Sequence, residues 1–336
     1  MRTLADTALA LVSSGRGILA ADESVRTMSQ RLEGENIPAT EENRRLYREL
    51  LVSTPGLSDL VSGVILCDET LRQHASVGDI EMPFAEACHR WGILPGIKVD
   101  TGTSALAGAP GALVTEGLDG LRGRLAEYAA MGAAFAKWRA VIDVTAATDY
   151  ALSANAHALA RYAALCQEQG LVPIVEPEVL CSGAHDIDVC AAVSDRALAA
   201  VFAELEAQRV DLGGIVLKPN LVTPGLDATP ASAEEVAAAT LAVLDRRVPP
   251  AVPGIAFLSG GHDNDAACRY LAALNVEAGE PSWNLTFSFG RALVSDALHQ
   301  WGGEEASRAG AQAVLLANCT RAAGAVAGRA PAPLSA

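Results

Sequence analysis

The stretch GGIVLKPNLVTPG, residues 213–225, begins as a short apolar run of the kind that forms an interior strand and then places a lysine, Lys218, near the end of that run. Seven other segments of the chain are also short and mostly apolar, and a longer segment with helical periodicity follows each of them. These segments begin at Gly17, Gly63, Leu94, Phe135, Val172, Gly254 and Leu285. Eight strand–helix units in one chain of 336 residues predict an α/β fold, a single (β/α)8 TIM barrel with a parallel eight-stranded core. A doubly wound sheet is disfavoured, because no G-x-G-x-x-G motif follows any of the strands.

The segments between the strands carry start and stop signals for helices. In residues 150–170 apolar side chains recur at steps of three and four before Gly170, while Ser232 and Glu235 predict a capping box at the start of a later helix. A charged insertion at residues 33–51 is expected to be helical. The predicted organisation is one barrel domain, residues 1–321, followed by a flexible Ala/Gly/Pro-rich tail, residues 322–336.

Composition and charge narrow the class of protein. The net charge of −15 speaks against nucleic acid as a partner, because binding it requires a basic surface. No apolar stretch reaches the length of a membrane helix and the N-terminus lacks a signal-peptide pattern, so no membrane partner is expected. Seven cysteines without a C-x-x-C pair fit a reducing compartment, and we therefore expect a cytoplasmic protein.

Charged residues stand near the C-terminal ends of the predicted strands, where a (β/α)8 barrel forms its active site. They are Asp22, Lys98, Asp100, Lys137, Arg139, Glu176, Glu178 and Lys218. A lysine held there among other cations and away from water shifts toward its neutral amine, a nucleophile for a carbonyl carbon, and adjacent carboxylates can transfer protons. The pattern indicates Schiff-base chemistry. Three ordinary interpretations stay open: a surface lysine at position 218, a structural network of ion pairs between strands four and five, and a helix cap at Asp22.

A phosphate site is predicted beyond the seventh and eighth strands. Small residues there let backbone N–H groups reach an anion, and an arginine can bind it with two donors. The residues are Ser259, Gly260, Gly261, Gly290 and Arg291. Plain turns are the alternative explanation of the glycines. The six histidines are scattered without H-x-x-H or H-x-x-x-H spacing, so we expect neither a metal nor any other cofactor.

Motifs from about residue 4 to about residue 316 together resemble the class I fructose-bisphosphate aldolases, the metal-independent Schiff-base family. They are GILAADES, ENRR, GVILCDETL, GIKVD, FAKWR, VEPE, VLKPNLVTPG, FLSGG and LTFSFGRAL. The resemblance implies reversible cleavage of fructose 1,6-bisphosphate to dihydroxyacetone phosphate and glyceraldehyde 3-phosphate, a step of glycolysis and gluconeogenesis. It also implies a sugar bisphosphate as the small-molecule partner and a homo-oligomeric assembly.

The same resemblance implies roles for individual residues. Lys218 matches the Schiff-base lysine, Glu176 the principal acid/base, and Asp22 the carboxylate that helps to take the proton from the hydroxyl beside the breaking bond. Lys137 and Glu178, with Arg139 beside them, match residues that assist carbinolamine formation. The residues after strands seven and eight match the site for the ketone-side phosphate. The residues that match the other phosphate and its surroundings are Ser24, Thr27, Arg31, Lys98 and Arg44.

Several positions depart from the family pattern. VRTM, with Arg26, replaces a small Gly-containing turn, Thr101 stands where a second lysine is common, and the last tyrosine is Tyr270 instead of a C-terminal residue. Another ketose bisphosphate, such as sedoheptulose 1,7-bisphosphate or tagatose 1,6-bisphosphate, is therefore an alternative substrate. A non-catalytic sugar-phosphate-binding protein that keeps the fold is an alternative from a different functional class.

Overall fold

Eight parallel strands form a closed barrel in the computed structural model, which describes residues 2–13 and 15–330. The strands are β1 (Gly17–Ala20), β2 (Val61–Leu66), β3 (Leu94–Lys98), β4 (Phe135–Ile142), β5 (Val172–Val179), β6 (Val216–Leu217), β7 (Gly254–Phe257) and β8 (Asn284–Phe289). Each strand pairs with the next along the chain, and β1 pairs with both β2 and β8, which closes the ring. Each of the eight predicted segments overlaps one of these strands, so the predicted (β/α)8 barrel is confirmed.

Helices surround the barrel. Those in the described residues are α1 (Leu4–Val12), α2 (Val25–Gly34), α3 (Glu41–Val52), α4 (Asp68–Arg72), α5 (Phe84–Arg90), α6 (Leu121–Ala130), α7 (Asp149–Glu168), α8 (Ile187–Ala207), α9 (Ala233–Arg247), α10 (Asn264–Ala278), α11 (Arg291–Trp301) and α12 (Arg308–Val326). The predicted capping box is confirmed at α9, where the Ser232 hydroxyl accepts from the Glu235 amide at 3.1 Å and the Glu235 carboxylate accepts from the Ser232 amide at 2.8 Å. Gly170, with φ of 72°, follows α7 as its predicted stop signal.

Short irregular elements occur near the charged residues, where one shortens a strand and others extend the loops. The predicted strand around Lys218 is reduced to two residues of β6, because Leu212–Gly214 form a 3-10 turn that Asp211 caps. The Lys218 amide still donates to the carbonyl of Val175 on β5 at 2.8 Å, so the lysine keeps its place beside that strand. Two antiparallel hairpins, His74–Val77 with Ile80–Pro83 and Thr103–Ala105 with Leu113–Thr115, extend from the loops.

The barrel interior is apolar at its N-terminal end, where α1 closes it. Leu11 of α1 belongs to a buried cluster that also contains Ile18, Phe135, Ile174 and Val216 from the strands. Glycine makes room for the phenylalanine ring: a Cβ on Gly96 would lie 2.2 Å from a carbon of Phe135. A second, larger buried cluster lies between the strands and the outer helices. The buried charged groups Lys137, Glu176 and Lys218 lie toward the C-terminal ends of the strands instead.

The C-terminal helix is longer than the sequence predicted. Residues 322–326, assigned to a flexible tail, continue α12, because alanines such as Ala322 and Ala325 are fully buried against the rest of the molecule. Residues 331–336 of the predicted tail lie outside the described residues. Among the helices that the structure describes, none is long and apolar enough to cross a membrane.

Candidate active site

Four charged side chains meet inside the C-terminal end of the barrel. Lys137 lies on β4 and Glu176 on β5, while Lys218 follows β6 directly and Asp22 lies two residues beyond β1. Lys137 Nζ is 2.7 Å from Asp22 Oδ2 and 3.3 Å from Glu176 Oε2. Lys218 Nζ is 3.3 Å from Glu176 Oε1. The four groups therefore form a continuous row of alternating charge, in which the two lysines and Glu176 are each only 4% exposed.

These neighbours set the ionisation of three of the groups. Burial would raise the pKa of Asp22, but the charges of Lys137 and Lys218 outweigh burial and lower that pKa to about 2. Burial would lower the pKa of Lys137, and the charges of Asp22 and Glu176 raise it above that of an ordinary lysine. The pKa of Glu176 is lowered, because the surrounding cations again outweigh burial. At neutral pH Asp22 and Glu176 are therefore carboxylates and Lys137 is an ammonium.

The alternation of side chains along two neighbouring strands brings a second pair to the same place. Arg139 lies two residues beyond Lys137 on β4, and Glu178 lies two residues beyond Glu176 on β5, so each pair faces one side of the sheet. Arg139 and Glu178 form an ion pair across the strands. The prediction that these side chains project together is confirmed.

An open cavity of about 560 Å³ lies over the row of charges. Its lining contains every predicted site residue except Arg44: Asp22, Ser24, Thr27, Arg31, Lys98, Lys137, Arg139, Glu176, Glu178, Lys218, Ser259, Gly260, Gly261, Gly290 and Arg291. The ordinary interpretations of Lys218 and Asp22 do not hold, because Lys218 is buried and the N-cap of α2 is Ser24. The charges on β4 and β5 do form a network of ion pairs, but that network lines a cavity.

Several lining residues were not predicted for the site. They are Ala20, Glu23, Thr101, Gly102, Thr103, Val141, Leu258 and Ser288. Ser288 is a polar residue near the end of β8, so the pattern that found Lys137 also covers it. Asp100, one of the charged residues named at the predicted strand ends, lines the cavity too. Thr101, Gly102 and Thr103 reach the cavity through the course of a loop and hairpin, for which the sequence carries no comparable signal.

One wall of the cavity is suited to an anion. Gly260 and Gly261 have φ of 59° and 97°, a conformation that favours glycine, and the amides of residues 259–261 have no acceptor among the described residues. Next to them, α11 begins at Arg291 without a side-chain cap, so its first amides are also available. Arg291 forms no ion pair with any residue that the structure describes. These groups supply the backbone donors and the free cation that a phosphate requires.

A second part of the cavity wall, formed by residues after β1 and β3, has cations that already contact carboxylates. Ser24 caps α2 and Thr27 lies in its first turn, while Arg31 forms an ion pair with Glu23. Lys98 Nζ is 2.6 Å from Asp100 Oδ1. This wall is therefore less strongly positive than the wall with Arg291. Arg26 is exposed in the first turn of α2 and is not among the lining residues.

Arg44 is the predicted site residue that the structure places elsewhere. It lies on α3, donates to both carboxylate oxygens of Glu69 at 2.7 and 2.6 Å, and also donates to the carbonyl of Ala39 at 3.1 Å. Its guanidinium is thus held between two helices and does not line the cavity. The sequence could not reveal this partner, because Glu69 lies 25 residues away along the chain.

The arrangement can support Schiff-base chemistry. A buried lysine lies in contact with a carboxylate, a second lysine and a second carboxylate lie beside them, and anion-binding groups occupy the rim. In the described part of the chain no group of three or more His, Cys, Asp or Glu side chains is arranged to hold a metal ion. That the chemistry proceeds without a metal stays a prediction.

Comparison with known proteins gives the family. Residues 3–334 match the family model described as glycolytic, fructose-bisphosphate aldolase class-I. The chain belongs to the class I fructose-bisphosphate aldolase family. It is 52% identical over 303 residues to the probable fructose-bisphosphate aldolase class 1 of Xanthomonas campestris pv. campestris, and the alignment covers 89% of each chain. The cytosolic fructose-bisphosphate aldolase 6 of Arabidopsis thaliana is 50% identical over 307 residues, which are 91% of this chain and 85% of that relative.

A solved structure agrees with this assignment. The fructose-bisphosphate aldolase of Plasmodium falciparum, crystallised in complex with TRAP and a small molecule inhibitor, matches with a TM-score of 0.94 and 42% sequence identity. The match covers 98% of this chain and 95% of that chain. The resemblance seen in the motifs is therefore confirmed, and it extends over the whole barrel.

Proposed function

We propose that this aldolase-family protein reversibly cleaves fructose 1,6-bisphosphate to dihydroxyacetone phosphate and glyceraldehyde 3-phosphate through a Schiff base on Lys218. The observation that carries the proposal is the buried contact between Lys218 Nζ and Glu176 Oε1 at 3.3 Å, inside a cavity with anion-binding groups at its rim. A nucleophilic amine and an adjacent proton acceptor are what iminium formation requires.

Iminium formation is the first half of the proposed reaction. Glu176 takes a proton from the Lys218 ammonium, the neutral amine attacks the ketone carbon, and Glu176 returns that proton to the carbonyl oxygen to give a carbinolamine. Glu176 then accepts a further proton from the nitrogen and gives it to the hydroxyl, which departs as water and leaves the iminium. Lys137, an ammonium 3.3 Å from Glu176, stabilises the negative charge that develops on oxygen.

Carbon–carbon cleavage is the second half. The Asp22 carboxylate, ionised at neutral pH, accepts the proton of the hydroxyl beside the bond that breaks. The electrons of that bond pass into the iminium and form an enamine, while the aldehyde leaves. Protonation of the enamine carbon and addition of water then release the ketone and restore the amine. The Arg139 and Glu178 pair holds the neighbouring charges in place.

The phosphates would bind at the two walls of the cavity. For the ketone-side phosphate we propose the amides of residues 259–261, the start of α11 and the free guanidinium of Arg291. For the distal phosphate we propose Ser24, Thr27, Arg31 and Lys98. Arg44 is held by Glu69, so a role for it in substrate binding would have to be indirect.

Borohydride trapping tests the proposal directly. The protein is reduced with borohydride in EDTA, with and without dihydroxyacetone phosphate, and its intact mass and peptides are measured. We expect a stable adduct on Lys218 that is absent from Lys218→Ala and retained in Lys98→Ala, which removes another lysine of the same cavity. A folded, phosphate-binding protein that forms no adduct would favour the non-catalytic alternative, and turnover that EDTA abolishes would contradict metal independence.

Three finer points belong to the same proposal. We propose a cytoplasmic location, which the free thiol state of all seven cysteines supports. We also propose a homo-oligomer, as the family resemblance implies, and light scattering of the purified protein tests it. Fructose 1,6-bisphosphate is proposed over sedoheptulose and tagatose bisphosphates, and the kcat/KM values for the three substrates decide between them.

A further inference from the structure

Arg48 lies on α3 outside the cavity, yet it reaches the loop that carries Asp22. Its side chain is fully buried, with an exposed fraction of 0%. Arg48 Nε donates to the carbonyl of Ala21 at 3.3 Å, and Nη2 donates to the carbonyl of Glu23 at 3.0 Å. The two carbonyls belong to the residues on either side of Asp22. Arg48 thus holds the backbone on both sides of the proposed proton acceptor.

A second contact of Arg48 leads to the part of the cavity wall that contains Arg31. Its Nη2 is 3.4 Å from Glu23 Oε2, while the other oxygen of Glu23 forms an ion pair with Arg31. Glu23 is largely buried, with 8% of its side chain exposed, and both Glu23 and Arg31 line the cavity. The other donors of Arg31 have no acceptor among the described residues, so they are available to a phosphate.

A fully buried guanidinium is costly unless acceptors compensate its charge, because arginine stays protonated in proteins. Here the acceptors are the backbone around Asp22 and the carboxylate of Glu23, and Nη1 has no acceptor in the described part of the molecule. The hydrogen bonds of Arg48 therefore go to groups that support the site. A residue that served stability alone would not need to contact both of these groups.

We infer that Arg48 is a positioning residue for both halves of the site: it fixes Asp22 through the backbone and fixes Arg31 through Glu23. The inference rests on the proposed function, because it assumes that Asp22 accepts a proton and Arg31 binds the distal phosphate. Its consequence is that one buried side chain couples the cleavage step to recognition of the distal phosphate.

The test compares fructose 1,6-bisphosphate with fructose 1-phosphate, which lacks the distal phosphate. Arg48→Met is expected to lower kcat for the monophosphate by about tenfold to hundredfold, because a displacement of about 1 Å at a reacting group has an effect of this size. For the bisphosphate the loss in kcat/KM is expected to be larger by a further factor of about three to ten. Glu23→Gln weakens the side-chain contacts of Glu23 with Arg31 and Arg48 and leaves the backbone hydrogen bonds of Arg48 in place. This variant is expected to lower kcat/KM for the bisphosphate more than for the monophosphate.

Tyr47→Phe is the matched control. Tyr47 is the neighbouring residue on α3, is equally buried, and donates to the carbonyl of Val294, which does not line the cavity. This variant is expected to lose some stability and to keep both kinetic constants within about twofold. Arg48→Lys is expected to recover part of the lost kcat, because an ammonium can donate to one of the two carbonyls.

Several results would overturn the inference. Wild-type constants for both substrates in Arg48→Met would do so, as would a loss of activity toward both by the same factor. Failure of both Arg48 variants to fold, when Tyr47→Phe folds, would show a purely structural role. Failure of the proposed function is distinguishable, since the wild-type protein would then form no borohydride adduct on Lys218.

Discussion

The two ends of the barrel are built from the same eight strands and have opposite interiors. At the N-terminal end, Phe135, Ile174 and Val216 form an apolar core that α1 closes. At the C-terminal end, the same three strands lead to Lys137, Glu176 and Lys218, which are just as buried but charged. In each case the charged residue lies two positions after the apolar residue in the chain.

The difference indicates that the closed end provides stability and the open end provides the charged groups of the site. At the closed end the packing is so tight that a Cβ on Gly96 would contact the Phe135 ring at 2.2 Å, so hydrophobic burial stabilises the barrel there. At the open end each buried charge must be balanced by another, and burial of ions contributes little net stability. We therefore expect substitutions at the closed end to alter mainly stability and those at the open end to alter mainly activity.

Lys218→Met is the substitution with the largest expected effect. It removes the proposed nucleophile but keeps the length and apolar stem of the side chain, so cleavage should fall by at least about 10³-fold. The free energy of unfolding should change by no more than about 2 kcal/mol, because Glu176 keeps Lys137 as a partner at 3.3 Å. Steady-state cleavage and urea unfolding of the same preparation measure the two quantities. Wild-type turnover would contradict the assignment of chemistry to this end.

Phe135→Ala tests the closed end. Truncating this ring at the centre of the barrel should lower the free energy of unfolding by about 3–5 kcal/mol, because the glycines around it leave no side chain to fill the cavity. The kcat of the protein that remains folded should stay within a few-fold of wild type. A large loss of kcat at small cost in stability would show that the two ends are not separate.

Most of the contrast between the two ends of the barrel could be predicted from the sequence. Eight apolar runs specify the barrel, and five of them have charged residues at one end, which the geometry of parallel strands gathers at one mouth. Lys137 and Arg139 were expected to face the same way because side chains alternate along a strand, and both line the cavity. Short-range rules of this kind need no knowledge of distant contacts.

The sequence could not predict contacts between residues that are far apart in the chain. Arg44 and Arg48 lie one helical turn apart on α3, but Arg44 pairs with Glu69 and Arg48 turns to the loop around Asp22. Motif resemblance assigned Arg44 to the site and passed over Arg48. The extent of α12 likewise depends on burial of its alanines, which composition alone cannot show.

The pH dependence of stability tests the charged end further, through the ionisation of Asp22. Because its pKa is lowered from 3.8 to about 2, its ionised form stabilises the folded state above pH 4, and this contribution is lost as the pH falls from about 4 to about 2. Relative to Asp22→Asn, the wild-type protein should therefore lose about 2 kcal/mol of unfolding free energy over that range. Urea unfolding of both proteins between pH 4 and pH 2 gives the difference. Parallel curves would mean that Asp22 is not strongly paired with Lys137 in the folded state.

Ser232→Ala should have the smallest effect, because Ser232 belongs to neither end of the barrel interior. It caps α9 on the outside of the molecule, and loss of one partner in the capping box should lower the free energy of unfolding by about 1 kcal/mol. Ser232 and Glu235 are not among the residues that line the cavity, so both kinetic constants should equal those of the wild type. Thermal unfolding and steady-state kinetics provide the comparison, with Ser232→Asp as a control that retains a capping side chain. If Ser232→Ala changed kcat while Ser232→Asp did not, stability of the outer helices would also control the chemistry, and the division between the two ends would be incomplete.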